Sequence, residues 1–275
     1  MIKDIIKNND IDSIINLLNT KGKIYTLSLF GEVLDKRSYF NMTPQGKIKL
    51  KDINYILPIF ALENDSMILS EKILELSDLK ERTKIKKINR HSNGVMNKLK
   101  ENFMKSMSNG NVEFAKEFGK EIFLRDEDEF YRLISIFSLT GNIKSLKTLM
   151  TLSFIELVEK YKKENITDEI LYLLIAFLSK YRDIYYDIDY HRNNLEQSLT
   201  IGTIYEKIIS DKNLMESRKG LELLSYLMLI KKVDIENRRL YINIVDYELC
   251  KKNKSAKLNE NEKLLLEKLF VKLGE

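Results

Sequence analysis

Two copies of one short pattern, a polar turn followed by apolar residues at helical spacing, constrain this fold more than any other feature. The turns are Gly110-Asn111 and Gly141-Asn142, 31 residues apart. Apolar residues follow each turn at intervals of three and four, which places them on one face of an α-helix. They are Val112, Phe114, Ala115, Phe118, Ile122 and Phe123 in the first copy, and Ile143, Leu146, Leu149, Met150 and Leu152 in the second.

The same spacing predicts further helices around these two copies. One is expected between them, from Glu127 to Leu139, and one after them, from Phe154 to Lys163. Ile170 to Leu178 is apolar nearly all round, which is typical of a central buried helix. Because a lone helix pair cannot bury so wide an apolar face, the pairs need to stack on similar neighbours.

The segment GNIKSLKTLM, which starts at Gly141, resembles the second helix of ankyrin-type repeats, where a Gly-polar turn precedes a V-x-x-L-L pattern. Related openings begin at Asn8, Glu63 and Lys231. The resemblance implies stacked helix pairs, an α-solenoid, whose surface binds a partner. A compact helical bundle uses the same periodicity, so both architectures stay open.

Composition excludes folds rich in strands. Only two prolines and ten glycines punctuate 275 residues, too few for a many-stranded sandwich or barrel. We therefore predict an all-α protein, either an irregular α-solenoid or stacked antiparallel helix pairs. Residues 35–51 are the least helical part of the chain, because apolar and polar residues alternate from Lys47 to Lys51 as they do in a β-strand. We expect a loop or a small β-hairpin near 40–52. A winged-helix module would place such a hairpin beside its helices. Pro58 should kink or end its helix.

Positive charge is concentrated between residues 80 and 105. Nine basic residues and two acidic ones give this segment a net charge of +7, more than the +5 of the whole chain. We expect one helical domain over 1–275, or an N-terminal helical subdomain, 1–79, and a helical-repeat subdomain, 106–275, joined by a basic connector, 80–105. The candidate phosphate contacts are Lys84, Lys86, Lys87, Arg90, Lys98 and Lys100. Neutralising phosphates releases counterions and favours nucleic-acid binding, but a solvated helix and turn explain the same residues.

A second candidate surface follows the apolar helix. It consists of Tyr181, Tyr185, Tyr186, Tyr190, His191 and Arg192. Tyrosine combines an apolar ring with a polar hydroxyl, which suits both a packed seam between helices and a surface that binds a protein partner. Near the end of the chain, Asn259 to Leu273 is predicted to form a helix with a broad apolar stripe. That stripe would cap the helical stack or pair with another chain.

Residues for catalysis or metal binding are scarce in this sequence. Cys250 is the only cysteine, which excludes an internal disulfide, and its place in an apolar helix predicts a buried or inert thiol. The acidic run from Arg125 to Phe130 is expected to begin a helix rather than to hold a metal, because it lacks the spacing glycine and the terminal carboxylate of a calcium loop. A hydrolase would need His91 or His191 in a cleft shared with carboxylates.

These observations favour a binding protein over an enzyme. The sequence contains no phosphate-binding glycine loop, dinucleotide fingerprint or nucleophile elbow. We expect a non-enzymatic adaptor without cofactors that recognises a protein partner, with nucleic acid as the alternative partner. No apolar segment reaches the roughly 18 residues of a membrane span, and the first residues lack an export signal, so a cytoplasmic location without a membrane partner is expected. The oligomeric state is left open.

Overall fold

The computed structural model describes residues 1–80, 94–181, 200–251 and 256–273, and within them it is an all-α structure with one small hairpin. This confirms the predicted fold class. The first helices and the hairpin are α1 (Ile2–Lys7), α2 (Ile11–Lys21), α3 (Lys23–Leu34), β1 (Phe40–Met42), β2 (Ile48–Leu50), α4 (Ile56–Leu62), α5 (Ser66–Leu76), α6 (Met96–Asn109) and α7 (Val112–Arg125). They are followed by α8 (Glu127–Thr140), α9 (Lys147–Tyr161), α10 (Asp168–Lys180), α11 (Ile201–Ser210), α12 (Lys212–Met215), α13 (Arg218–Lys232), α14 (Arg238–Cys250) and α15 (Glu260–Leu273).

The chain divides into two compact units. The first contains Met1–Phe130 and Ser153–Arg182, and the second contains Tyr131–Leu152 and Asp183–Glu275. Two of the three boundaries fall inside α8 and α9, and the third, after Arg182, lies outside the described residues. The connector expected from the charge pattern at 80–105 coincides with none of them. Residues on both sides of that segment belong to the first unit. A boundary inside a continuous helix leaves no change in composition, so the sequence carries no signal for it.

The first unit is built around α10. Every residue from Ile170 to Ser179 is buried, as predicted for a central helix, and α10 packs against α3, α6 and α7. Gly119 lets α7 approach closely, because a Cβ at this position would lie 2.6 Å from Ile175 Cδ1. Aromatic rings fill the neighbouring core, with Phe123 and Phe130 at a centroid distance of 5.2 Å.

The predicted hairpin is present in the first unit. Strands β1 and β2 pair antiparallel, with Met42 opposite Ile48. The turn is closed by a 2.8 Å hydrogen bond from the Thr43 N–H to the Lys47 carbonyl, and Gly46 supplies the positive φ of +76° that the turn requires. At the base of the hairpin the Lys51 N–H donates to the carbonyl of Tyr39, whose side chain is buried.

The second unit is built around α13. All residues from Gly220 to Ile230 are buried, and α13 packs against α11, α14 and α15. Two polar contacts within the unit fix the position of α13. The Tyr226 hydroxyl donates to the Leu139 carbonyl at 2.5 Å, and the Thr148 and Ser225 hydroxyls lie 3.1 Å apart. These polar groups on a buried helix are thus hydrogen-bonded, as burial demands.

The second copy of the turn and helix pattern differs from its prediction. Its helix begins at Lys147 rather than at Ile143, because Ile143–Ser145 forms a 3₁₀ turn that ends with Leu146 at a φ of +55°. Helix α9 then continues to Tyr161 without the break expected before Phe154. The apolar periodicity cannot report a local reversal of this kind, since Leu146 remains buried either way.

Two further expectations are wrong. Pro58 neither kinks nor ends α4; it lies in the first turn, where its missing N–H has no helical partner to lose. Phe114, expected in the buried stripe of α7, is 58% exposed and stacks on Phe118 with ring centroids 6.4 Å apart. The buried face of α7 is instead centred on Ala115 and Gly119.

Candidate functional site

The basic segment is only partly within the described residues. Lys84, Lys86, Lys87 and Arg90 lie outside them, as does His91. Lys100 on α6 forms an ion pair of 3.0 Å with Glu129. Lys98 is exposed on the same helix, and among the described residues its side chain has no hydrogen bond or ion pair. The structure therefore brings Lys100 into an internal contact and leaves Lys98 at the surface.

The tyrosine-rich segment is described only at its first residue. Tyr185, Tyr186, Tyr190, His191 and Arg192 lie outside the described residues. The ring of Tyr181 packs against Phe177 at a centroid distance of 5.4 Å and against Tyr39 at 5.7 Å. For this residue the contacts favour a packed seam at the base of the hairpin over an exposed binding surface.

The thiol of Cys250 is exposed, which corrects the expectation of a buried cysteine. The buried face of α14 passes through Ile244, Val245 and Glu248, and Cys250 falls outside it. Its Sγ lies 4.0 Å from Asp246 Oδ2.

The acidic run begins α8, in agreement with its helix-terminus interpretation. Asp126 Oδ1 accepts a hydrogen bond of 3.0 Å from the Glu129 N–H, so the run supplies an N-terminal cap. Among the described residues no three His, Cys, Asp or Glu side chains are placed to hold a metal ion. The acidic residues therefore have a structural role at the helix start.

A half-buried lysine in the first unit joins α3 to the residues after α4. Lys23 Nζ donates to the Glu63 carbonyl, and Asn64 Oδ1 lies 3.5 Å from it. The same Asn64 oxygen accepts a hydrogen bond of 2.8 Å from Lys160. Burial, together with the Lys160 charge, lowers the pKa of Lys23 to about 8. These contacts give Lys23 a structural role in holding two segments together.

The hairpin presents an exposed apolar face that sequence reasoning missed. Phe40, Met42 and Ile48 share one side of the two strands and are 41%, 72% and 69% exposed. Lys47 and Lys49 alternate with Ile48, so they belong to the other side. The alternation of apolar and polar residues that predicted the strand also implied that one side of it is apolar and the other is charged.

A second apolar surface lies in the second unit, beside α15. There a hollow of about 740 Å³ opens to solvent, and we call it the α15 hollow. Its apolar lining consists of Met215, Leu258, Leu266, Phe270 and Val271. Phe270 is 41% exposed and Val271 is 64% exposed, so one helix presents two neighbouring apolar side chains to solvent. The final helix was predicted to carry such a stripe, but not the hollow beside it.

Buried contacts hold α15 in position. Leu265, Leu266 and Leu269 form its buried face. Arg218 at the start of α13 lies 3.1 Å from Glu222 and 2.9 Å from Glu262, a buried residue of α15. Burial raises the pKa of the Glu222 carboxyl to about 6, although the Arg218 charge acts in the opposite direction. This ion-pair network ties α15 to α13 and fixes one wall of the hollow.

The segment before α15 forms the other wall. The Arg218 N–H donates to the Ala256 carbonyl at 3.2 Å, and Lys257 pairs with Ser217 in an isolated antiparallel bridge. These backbone contacts place Lys257 and Leu258 next to the turn that carries Met215. The hollow is therefore a built feature of the second unit and does not depend on one side chain.

Four charged side chains surround the apolar lining. They are Glu216, Lys257, Lys263 and Glu267, two of each sign. Within the part of the chain that the structure describes, none of these four side chains takes part in an ion pair. By contrast, Glu262 on the buried side of the same helix is paired with Arg218. The hollow is thus lined by exposed charges of both signs that form no ion pair among the described residues.

Comparison with known proteins gives no relative: no protein-family model, no curated protein and no solved structure matches this chain. Among the described residues, no helix is long and apolar enough to cross a membrane.

Proposed function

We propose that this chain is a non-enzymatic, cytoplasmic binding or adaptor protein that recognises a protein partner through the α15 hollow. The observation that carries the proposal is the pairing of exposed Phe270 and Val271 with a hollow of about 740 Å³. Aromatic residues beside desolvated pockets dominate the energy of many protein interfaces. The stacking of helix pairs implied by the ankyrin-type resemblance is the architecture that we propose behind this surface.

The distribution of polarity around the hollow favours a protein over a small molecule. Five apolar residues line the hollow together with four exposed charged residues, two of each sign. Protein interfaces combine an apolar core with a polar, accessible rim in this way. Enclosed small-molecule sites instead surround their ligand and place a few polar groups inside.

Site-specific photo-crosslinking in native cells tests the proposal. A benzophenone amino acid replaces Glu216, which is exposed and lines the hollow, and a matched control carries it at Lys231, which is exposed in the same unit and does not line the hollow. We expect a crosslinked protein adduct from position 216 that is absent from position 231. The adduct should disappear when Phe270→Asp is added, because a charge in the apolar centre is costly to bury. Equal adducts from both positions would count against the hollow as the binding site.

A second candidate function is association with nucleic acid. It is favoured by the net charge of +7 over residues 80–105 and by the exposed position of Lys98 on α6. Phe103 is the only aromatic residue of the segment, and it is buried, so stacking on bases has no support. Binding of this kind would use the phosphate backbone and would select little for sequence.

A further inference from the structure

We propose that the partner bound in the α15 hollow is a second copy of this chain, with the two α15 helices antiparallel across a two-fold axis. This inference rests on the proposed function, because it names the occupant of the same surface. In a two-fold interface one patch faces itself, so the patch has to be complementary to its own rotated image. The α15 hollow meets this requirement both in charge and in shape.

The charge complementarity lies along α15. Lys263 and Glu267 are exposed one helical turn apart, and among the described residues neither forms an ion pair. When a second α15 lies antiparallel with its axis of symmetry near Leu265, each Lys263 faces the partner's Glu267. Two equivalent ion pairs then form across the axis. Such pairs set the register and orientation of helix pairing in coiled coils.

The apolar surfaces are complementary in the same arrangement. An antiparallel helix paired at Lys263 and Glu267 brings the partner's Phe270 toward residues 258–260. Leu258 and Met215 line the hollow there. Each copy therefore offers an exposed ring and a hollow that receives the ring of the other copy. A foreign partner would need to match both the apolar lining and the alternating charges.

Charge exchange between the two helices provides a direct test. In a homodimer, Lys263→Glu alone places the substituted carboxylate against the partner's Glu267, and Glu267→Lys alone places two ammonium groups together. In the heterodimer formed by mixing the two variants, both pairs across the axis again join opposite charges. The mixture should therefore recover a dissociation constant close to that of the native dimer. Sedimentation equilibrium on the full chain should show a native dimer at about 100 µM and a dissociation constant at least about tenfold weaker for each single variant.

The double variant Lys263→Glu with Glu267→Lys completes the exchange. It reverses both charges within each copy, so every substituted position again faces the opposite charge and the homodimer should recover the native dissociation constant. The two single variants change the net charge in opposite directions, so a general charge effect should weaken one dimer and strengthen the other. Weakening in both, followed by recovery in the double variant, therefore indicates a specific pairing across the axis.

Two variants serve as controls in this experiment. Phe270→Asp should prevent dimerisation, whereas Met42→Asp removes a more exposed apolar side chain from the hairpin and should leave the dimer intact. Circular dichroism and thermal unfolding show whether each variant is folded. A native protein that is monomeric at this concentration, or a dimer that the α15 variants leave unchanged, overturns the proposal.

The crosslinker at position 216 separates this inference from the proposed function. An adduct between two copies of the chain supports both. An adduct with a different protein supports the proposed function and overturns the self-association. The absence of any adduct together with a monomeric native protein overturns both.

Discussion

Burial makes the charged form of the Glu222 carboxyl unfavourable in the folded protein. Its carboxyl is 5% exposed and pairs with Arg218, yet burial raises its pKa from 4.5 to about 6. Between these two pH values the folded protein binds a proton that the unfolded chain does not. Glu222 therefore contributes stability below pH 4.5, and this contribution is lost as the pH rises through 6. The shift corresponds to about 2 kcal/mol.

Glu222→Gln should remove this cost at neutral pH. The amide oxygen of glutamine can still accept a hydrogen bond from Arg218. Arg218 also keeps its ion pair with Glu262. We expect the free energy of unfolding at about pH 7.5 to rise by up to about 2 kcal/mol, and the gain to vanish as the pH falls toward about 4.5. Urea unfolding at both pH values measures it. A variant less stable than the native protein at the higher pH would mean that the pairing with Arg218 outweighs the cost of burial.

At the scale of single elements, local signals predicted some helices closely and missed others for identifiable reasons. Helix α8, predicted from Glu127 to Leu139, runs from Glu127 to Thr140. The start of α9 was missed because Leu146 adopts a positive φ, which is unusual for a leucine. Only contacts remote in sequence determine such a conformation, so periodicity cannot reveal it.

Gly220 gives a prediction about how α13 is fixed to the turn before it. A Cβ at Gly220 would lie 2.0 Å from the Leu214 carbonyl oxygen, and a backbone atom cannot rotate away. Gly220→Ala should therefore lower the free energy of unfolding by about 1–3 kcal/mol. Gly202 in α11 is the matched control, because the nearest atom to its Cβ would be Thr200 Oγ1 at 3.8 Å.

Gly202→Ala should leave stability unchanged or raise it by up to about 1 kcal/mol, since alanine favours the helix and restricts the unfolded chain. Urea unfolding of both variants under one set of conditions makes the comparison. Similar effects at the two glycines would show that helix propensity, and not the close approach of Leu214, determines the result.

At the scale of the whole molecule, the sequence predicted candidate segments more readily than a candidate site. The apolar stripe of α15 was visible as Leu264 to Leu273. The α15 hollow could not be predicted in the same way. Met215 lies far from α15 in the sequence, and Leu258 lies just before the helix begins, so only the fold brings both of them to the hollow. Likewise, the charge of residues 80–105 is plain from composition, but the ion pair that uses Lys100 depends on Glu129 in another helix.

That segregated charge leads to a prediction for the nucleic-acid alternative. If Lys84, Lys86, Lys87 and Arg90 each contact a phosphate, affinity for mixed-sequence duplex DNA should fall ~100-fold between about 50 and about 200 mM salt. Changing all four to glutamate should abolish binding. The control carries the same charge change at four exposed lysines elsewhere: Lys3, Lys21, Lys212 and Lys231.

Fluorescence anisotropy at the two salt concentrations distinguishes local from overall charge. Loss of binding in the 84–90 variant alone assigns the contact to the basic segment, because both variants have the same net charge. Equal loss in both variants would show that only overall charge attracts the DNA. Absence of binding by the native protein even at low salt would remove the nucleic-acid function and leave recognition of a protein partner at the α15 hollow as the remaining proposal.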